Sequence, residues 1–194
     1  MKRGWIAMLA CGLLVSAATM LGAQSEPAAV DWQGIEAAWT AYFSGPSEEK
    51  AALMIELLPG DARVKDVKGG LLVIDSIREH LGVLEGEMYS GNPNAIKLCF
   101  RLYTISHGNF ETKLNSILGN LIAFYPWIFL EKLEAHRHLL NSLDQVLGSY
   151  LGEIADDKDA REREKKLRIQ SLESVMDKSL KPLRNECIKI LKKL

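Results

Sequence analysis

Apolar residues recur at intervals of three and four positions along most of the chain, which is the period of an amphipathic helix. Asp31 and Ser47 stand where helix N-caps are expected, and Asn92 precedes a proline at the position that opens a helix. Residues 71–74 are all apolar and would suit a buried strand. The helical period nevertheless continues beyond them, and the sequence offers no second strand to pair with. We therefore predict one helix over residues 71–88 and an all-α fold.

Short links between the predicted helices of the middle region imply antiparallel neighbours. The expected pairs are residues 93–107 with 109–124 and residues 126–138 with 139–152. Stacked pairs of this kind resemble, in architecture alone, a HEAT-like α-solenoid, although no residue signature repeats at a fixed period. The sequence therefore predicts consecutive antiparallel helix pairs, arranged as a short HEAT-like α-solenoid or as an irregular helical bundle.

Residues 1–23 are predicted to be a signal peptide. Lys2 and Arg3 supply the positive start, an uncharged and largely apolar run follows, and Ala23 ends it before a polar stretch. A permanent signal anchor and lipid attachment at Cys11 are the two alternatives to cleavage. We expect cleavage, and hence a periplasmic or secreted protein without a transmembrane segment after signal removal.

Charge divides the remaining chain into a helical body, residues 24–155, and a charged segment, residues 156–194, whose basic helices pack on the body or extend it. Residues 161–194 contain 11 basic and 5 acidic residues, a net charge of +6, whereas residues 24–160 contain 11 basic and 20 acidic residues. Such a tail either docks on its own acidic body or meets an acidic partner or an anionic membrane surface. The candidate partner-binding residues are Lys181, Arg184, Lys189, Lys192 and Lys193.

No catalytic or metal-binding motif stands out. Glu131, Glu134 and His138 share one helix face, but the spacing matches neither a metalloprotease nor a di-iron bundle, so a solvated polar face is expected. We predict neither a metal nor a cofactor. No aromatic residues alternate with the C-terminal lysines, which argues against nucleic-acid binding.

Several residues of the middle and C-terminal regions are predicted to lie in the core. The helix over residues 95–105 is apolar on nearly all sides, which indicates burial between neighbours. Cys99 and Cys187 are expected to be buried free thiols rather than a disulfide. An aromatic cluster at a helix junction is expected to fill the core, with an exposed hydrophobic anchor as the alternative. This cluster comprises Phe124, Tyr125, Trp127 and Phe129.

These observations predict an exported helical module that binds a protein or peptide partner in the cell envelope. Stacked helices build extended surfaces, and no site chemistry is visible. One alternative is a helical enzyme acting on envelope polymers, with Glu131 and Glu134 as carboxylate candidates. The other is a carrier of lipids or amphiphiles that holds its ligand between the helices from Phe110 to Phe129.

Overall fold

The computed structural model describes residues 30–60 and 62–194, and every regular element within them is helical. This confirms the predicted all-α fold class. The predicted signal peptide, residues 1–23, lies outside the described residues and stays a prediction. In the part of the chain that is described, no helix is both long and apolar enough to cross a bilayer.

The helices follow one another with short connections. In chain order they are α1 (Trp32–Ser44), α2 (Glu48–Leu57), α3 (Leu71–Glu79), α4 (Leu81–Tyr89), α5 (Pro93–Arg101), α6 (Asn109–Phe124), α7 (Pro126–His136), α8 (Leu143–Gly148), α9 (Lys158–Glu173) and α10 (Lys181–Leu191). Short 3-10 turns at Lys68–Gly70, Leu102–Thr104, Arg137–Leu139 and Gly152–Ala155 complete the regular structure of the described residues.

The predicted helix starts carry the predicted caps. Asp31 Oδ1 accepts a hydrogen bond of 2.9 Å from the Gly34 backbone N–H, and Ser47 Oγ accepts one of 3.3 Å from the Lys50 N–H. Asn92 Oδ1 likewise accepts hydrogen bonds from two N–H groups of the first turn of α5. Each cap satisfies N–H donors that have no partner inside the helix.

The single helix predicted over residues 71–88 is wrong, because the structure divides it at His80 into α3 and α4. The His80 ring stacks on Phe43 with the ring centroids 4.1 Å apart, and its Nδ1 lies 2.8 Å from the Ser76 carbonyl oxygen. Both halves pack against α6, but their other neighbours differ, since α3 also contacts α1 whereas α4 also contacts α5. Tertiary contacts thus end a helix that the apolar period alone would continue.

Helix α6 lies at the centre of the molecule and packs against α3, α4, α7, α8 and α9. Helix α5 makes its main contacts with α2, α4 and α7, so α5 and α6 are not each other's principal partners. In a solenoid each repeat contacts only its immediate neighbours. Packing around a central helix therefore favours the irregular bundle over the solenoid, the two forms that the sequence left open.

One continuous apolar core extends from Ile35 in α1 to Leu191 in α10. Helix α5 contributes on several sides, as its sequence predicts, with Ile96, Leu98 and Phe100 all buried. Cys99 and Cys187 lie in this core as free thiols, in agreement with the sequence-based expectation.

Helix α10 packs against α7, α8 and α9 through its apolar side. Leu183, Cys187 and Leu191, at successive steps of four, are all buried. At the margin of this contact, the Arg137 guanidinium donates two hydrogen bonds to the Glu186 carboxylate, of 2.7 and 2.5 Å. The C-terminal helix is thus held mainly by apolar contacts, and its lysines point away from them.

Candidate partner-binding surface

Four of the five basic residues singled out in the sequence line a single recess. The recess lies between the end of α9 and the outer side of α10 and has a volume of about 550 Å³. Lys181, the fifth residue, is exposed at the start of α10 and does not line it. We call this recess the basic groove; its walls are Glu173, Arg184, Asn185, Ile188, Lys189, Lys192 and Lys193.

The helical period explains why these side chains converge. Arg184, Ile188 and Lys192 are spaced four residues apart and therefore form one row along α10. The neighbouring row of Leu183, Cys187 and Leu191 is buried against the body, which turns the basic row toward the end of α9. The buried side of the helix thus fixes the direction of its charged side.

The charges of the basic groove are only partly neutralised. Lys192 Nζ lies 3.8 Å from Glu173 Oε1, and both side chains are more than half exposed, so this ion pair contributes little. Among the described residues, Lys189 and Lys193 have no ion-pair partner. The groove therefore presents excess positive charge above the apolar side chain of Ile188.

Arg184 is held in a defined position. Its Nη1 donates a hydrogen bond of 2.6 Å to the Val175 carbonyl oxygen, while Nε and Nη2 both donate to Asn185 Oδ1, at 3.2 and 3.1 Å. Because Val175 follows α9, the first of these hydrogen bonds joins α10 to the segment that connects it to α9. The position of the guanidinium is thus fixed before any partner arrives.

A second recess is lined in part by the same connecting segment and has a volume of about 370 Å³. It is mainly apolar, and three of its side chains are prominently exposed: Phe124 by 58%, Trp127 by 49% and Met176 by 82%. We call it the aromatic cleft; it is lined by Phe124, Tyr125, Pro126, Trp127, Ile128, Ser174, Val175 and Met176.

The expectation that the aromatic cluster fills the core is correct for Phe129, which is fully buried, and wrong for Phe124 and Trp127. The turn between α6 and α7 separates them. Tyr125 in this turn points inward and donates a hydrogen bond of 3.1 Å to the Tyr89 carbonyl oxygen. Phe124 before it and Trp127 two positions after it are left on the surface.

The side chains around the aromatic cleft are also linked by hydrogen bonds. The Asp177 carboxylate accepts hydrogen bonds from the Ser179 hydroxyl and backbone N–H, at 2.7 and 2.8 Å. The two hydrogen bonds from Ser179 are the main cause of the lowered pKa of Asp177, and the Trp127 side chain makes a smaller contribution. The Asp177 carboxylate therefore lies beside Trp127, at the edge of the cleft.

A third recess, of about 640 Å³, is lined mostly by polar residues, and none of these is basic. Its most buried carboxylate, Glu111, already accepts hydrogen bonds from Arg63 Nη2 at 2.8 Å and Asn141 Nδ2 at 2.9 Å. The neighbouring Asn115 accepts a hydrogen bond of 2.6 Å from the Tyr103 hydroxyl. These polar groups hold α6 to the segments around it, so their hydrogen-bonding capacity is largely used inside the fold.

The carboxylates considered for catalysis are not brought together in any of these three recesses. Glu131 forms an ion pair of 2.7 Å with the adjacent Lys132, and Glu134 is exposed. His138 lies in the 3-10 turn beyond the end of α7. Within the described residues, no three histidine, cysteine or carboxylate side chains are grouped so that they could hold a metal ion.

Known proteins offer no comparison for these surfaces. The chain matches no protein-family model, no curated protein and no solved structure.

Proposed function

We propose that the protein is an exported helical interaction module whose basic groove binds an acidic segment of a protein or peptide partner. The observation that carries the proposal is the convergence of Arg184, Lys189, Lys192 and Lys193 on one groove. Complementary charge across an interface speeds association and excludes partners of the wrong sign. An acidic chain is therefore the partner that this groove selects.

If the basic tail docked on its own acidic body through these charges, the groove could not offer them to a partner. Helix α10 is attached to the body through buried apolar side chains and the Arg137–Glu186 ion pair. Lys189 and Lys193 are exposed and take no part in that attachment. The positive charge of the groove is therefore available to a second molecule.

The two alternative functions receive less support. Glu131 and Glu134, the carboxylates of the enzyme hypothesis, line none of the three recesses described above. The space that a lipid carrier would need, between Phe110 and Phe129, is occupied by apolar side chains that belong to the core. An exterior groove thus agrees better with this structure than an interior ligand.

The proposal is tested with a fluorescein-labelled polyglutamate peptide, whose binding is followed by fluorescence polarisation. The variant K189E/K193E is expected to lower affinity by about tenfold or more, because attraction in the groove becomes repulsion. The matched control K158E/K166E changes charge equally on exposed positions of α9 outside the groove.

The control variant should retain most of the wild-type affinity, and high salt should weaken wild-type binding because it screens exposed charges. Equal losses in both double variants would show that net charge, rather than the groove, attracts the peptide. Absence of binding by the wild-type protein in low salt would refute the proposed function.

A further inference from the structure

The aromatic cleft is an apolar surface that folding leaves uncovered. Single exposed apolar side chains are common on soluble proteins, but a contiguous group next to a recess is typical of an interaction site. Phe124, Trp127 and Met176 come from two segments distant in sequence and meet at this one place. Tryptophan and methionine are also enriched in the contact surfaces of protein complexes.

The walls of the aromatic cleft are held in place before any partner binds. Ser171 Oγ donates a hydrogen bond of 3.3 Å to the Ala123 carbonyl oxygen, which ties α9 to the end of α6. The Phe124 ring packs on Tyr89 with the ring centroids 5.4 Å apart. A preformed recess of this kind loses less conformational entropy on binding than a flexible patch does.

The aromatic cleft and the basic groove adjoin each other. Glu173 lines the groove, the next three residues line the cleft, and Arg184 of the groove donates a hydrogen bond to the carbonyl oxygen of Val175 in the cleft. A chain lying over the end of α9 would therefore reach both recesses at once.

We infer that the two recesses form one docking surface, and that its partner is an acidic peptide segment with a bulky apolar side chain beside its acidic residues. The apolar side chain enters the cleft between Trp127 and Met176, while the carboxylates lie along the groove. This inference rests on the proposed function and adds a chemical definition of the partner. Hot spots of protein interfaces have this composition, an aromatic anchor surrounded by polar contacts.

The shape of the surface favours a peptide chain over a membrane. Both features are recesses, which single side chains can enter, whereas a bilayer presents a broad surface. The Glu173 carboxylate within the basic groove can also accept hydrogen bonds from the backbone N–H groups of a peptide. A second copy of the chain is the remaining possible occupant, and the experiment separates it.

The test compares three labelled peptides: polyglutamate, the same peptide with a Phe-Leu pair at one end, and a polyglutamine peptide with that pair. The wild-type protein should bind the acidic peptide with Phe-Leu about tenfold more tightly than polyglutamate. M176S and W127A should each remove most of that gain, leaving polyglutamate binding unchanged. K189E/K193E should weaken the binding of both acidic peptides, and the polyglutamine peptide should bind the wild-type protein only weakly.

Met176 is the preferred position because its side chain is almost entirely exposed and the substitution does not affect the hydrogen bonds of Asp177. The matched control is L72S, at an equally exposed leucine on α3 outside the cleft. Circular dichroism checks that each variant folds. L72S should bind all three peptides as the wild-type protein does.

The outcomes separate the two proposals. If both acidic peptides bind equally and M176S has no effect, the two-part surface is wrong while the basic groove as a binding site still stands. If no acidic peptide binds, the proposed function itself fails. Binding to phosphatidylglycerol vesicles that M176S abolishes, without peptide binding, would assign the surface to a membrane. A dimer that M176S dissociates would assign it to a second copy, and either result overturns the inference.

Discussion

At the scale of single residues, Arg168 is notable because this charged side chain is completely buried. Nη1 donates to the Leu147 and Ser149 carbonyl oxygens, at 2.9 and 2.8 Å, and Nε donates to Glu164 at 3.0 Å. The guanidinium also lies over the Tyr150 ring, 4.5 Å from its centroid. Burial lowers the pKa of Arg168, and the hydrogen bond to Glu164 opposes this shift. One side chain thus joins α9 to the C-terminal end of α8 and to the residue that follows it.

Replacing Arg168 with methionine is therefore expected to lower the free energy of unfolding by about 3–5 kcal/mol, because a carboxylate and two carbonyl groups lose their buried partner. Urea denaturation followed by circular dichroism measures the loss. The control R161M affects an exposed arginine on the same helix and should stay within about 0.5 kcal/mol of the wild-type protein. Equal stability of R168M and R161M would contradict this account.

At the scale of elements, helix α6 lies close to the backbone of α8 at Gly119. A β-carbon placed there would lie 2.5 Å from the Val146 carbonyl oxygen and 3.0 Å from that of Ser149. Neither atom can move without shifting the backbone around α8. Gly82 in α4, in contrast, has no heavy atom within 4 Å of the corresponding position.

Alanine stabilises the interior of a helix by about 1 kcal/mol relative to glycine, but its methyl group needs space. At Gly119 the steric conflict should prevail, so we expect G119A to lower the free energy of unfolding by about 1–3 kcal/mol. At Gly82 only the helix preference acts, so G82A should raise the free energy of unfolding by roughly 0.5–1 kcal/mol. Thermal unfolding of both variants measures these changes. A G119A variant more stable than the wild-type protein would show that the backbone of α8 shifts easily.

At the scale of the whole molecule, weakly acidic groups are distributed through the core from α1 to α10. Burial raises the pKa of the Tyr42 and Tyr103 hydroxyls and of the Cys99 thiol. It raises the pKa of the Cys187 thiol from its ordinary 9.0 to about 12. Folding therefore keeps these groups protonated under conditions in which the unfolded chain would release their protons.

Stability should consequently fall as the pH rises above 9.0, the ordinary pKa of a thiol, and continue to fall toward the folded pKa of Cys187 at about 12. The unfolded chain binds fewer protons than the folded one in this range, which fixes the sign. Urea denaturation at increasing alkaline pH measures the slope, and C187V should make it shallower. An unchanged slope in C187V would remove this thiol from the explanation.

Local signals determined much of the fold. Asp31, Ser47 and Asn92 begin helices because a capping side chain needs only the N–H groups two or three residues ahead. The helical class and the burial of α5 likewise follow from apolar spacing within a few turns. The excess of basic residues in α10 could be recognised from the sequence, because counting charges needs no knowledge of tertiary contacts.

Contacts between distant segments determined the rest. The break at His80 needs Phe43 of another helix, and the packing around α6 needs neighbours from both ends of the chain. Trp127 reads as a core residue in the sequence, but the turn at Tyr125 and the position of Met176 leave it exposed. Local patterns specify where a helix begins and which residues are apolar. Which apolar residues become buried depends on whether another helix packs against them. No helix in the described part of the chain covers Phe124, Trp127 and Met176 completely, and these residues therefore form the aromatic cleft.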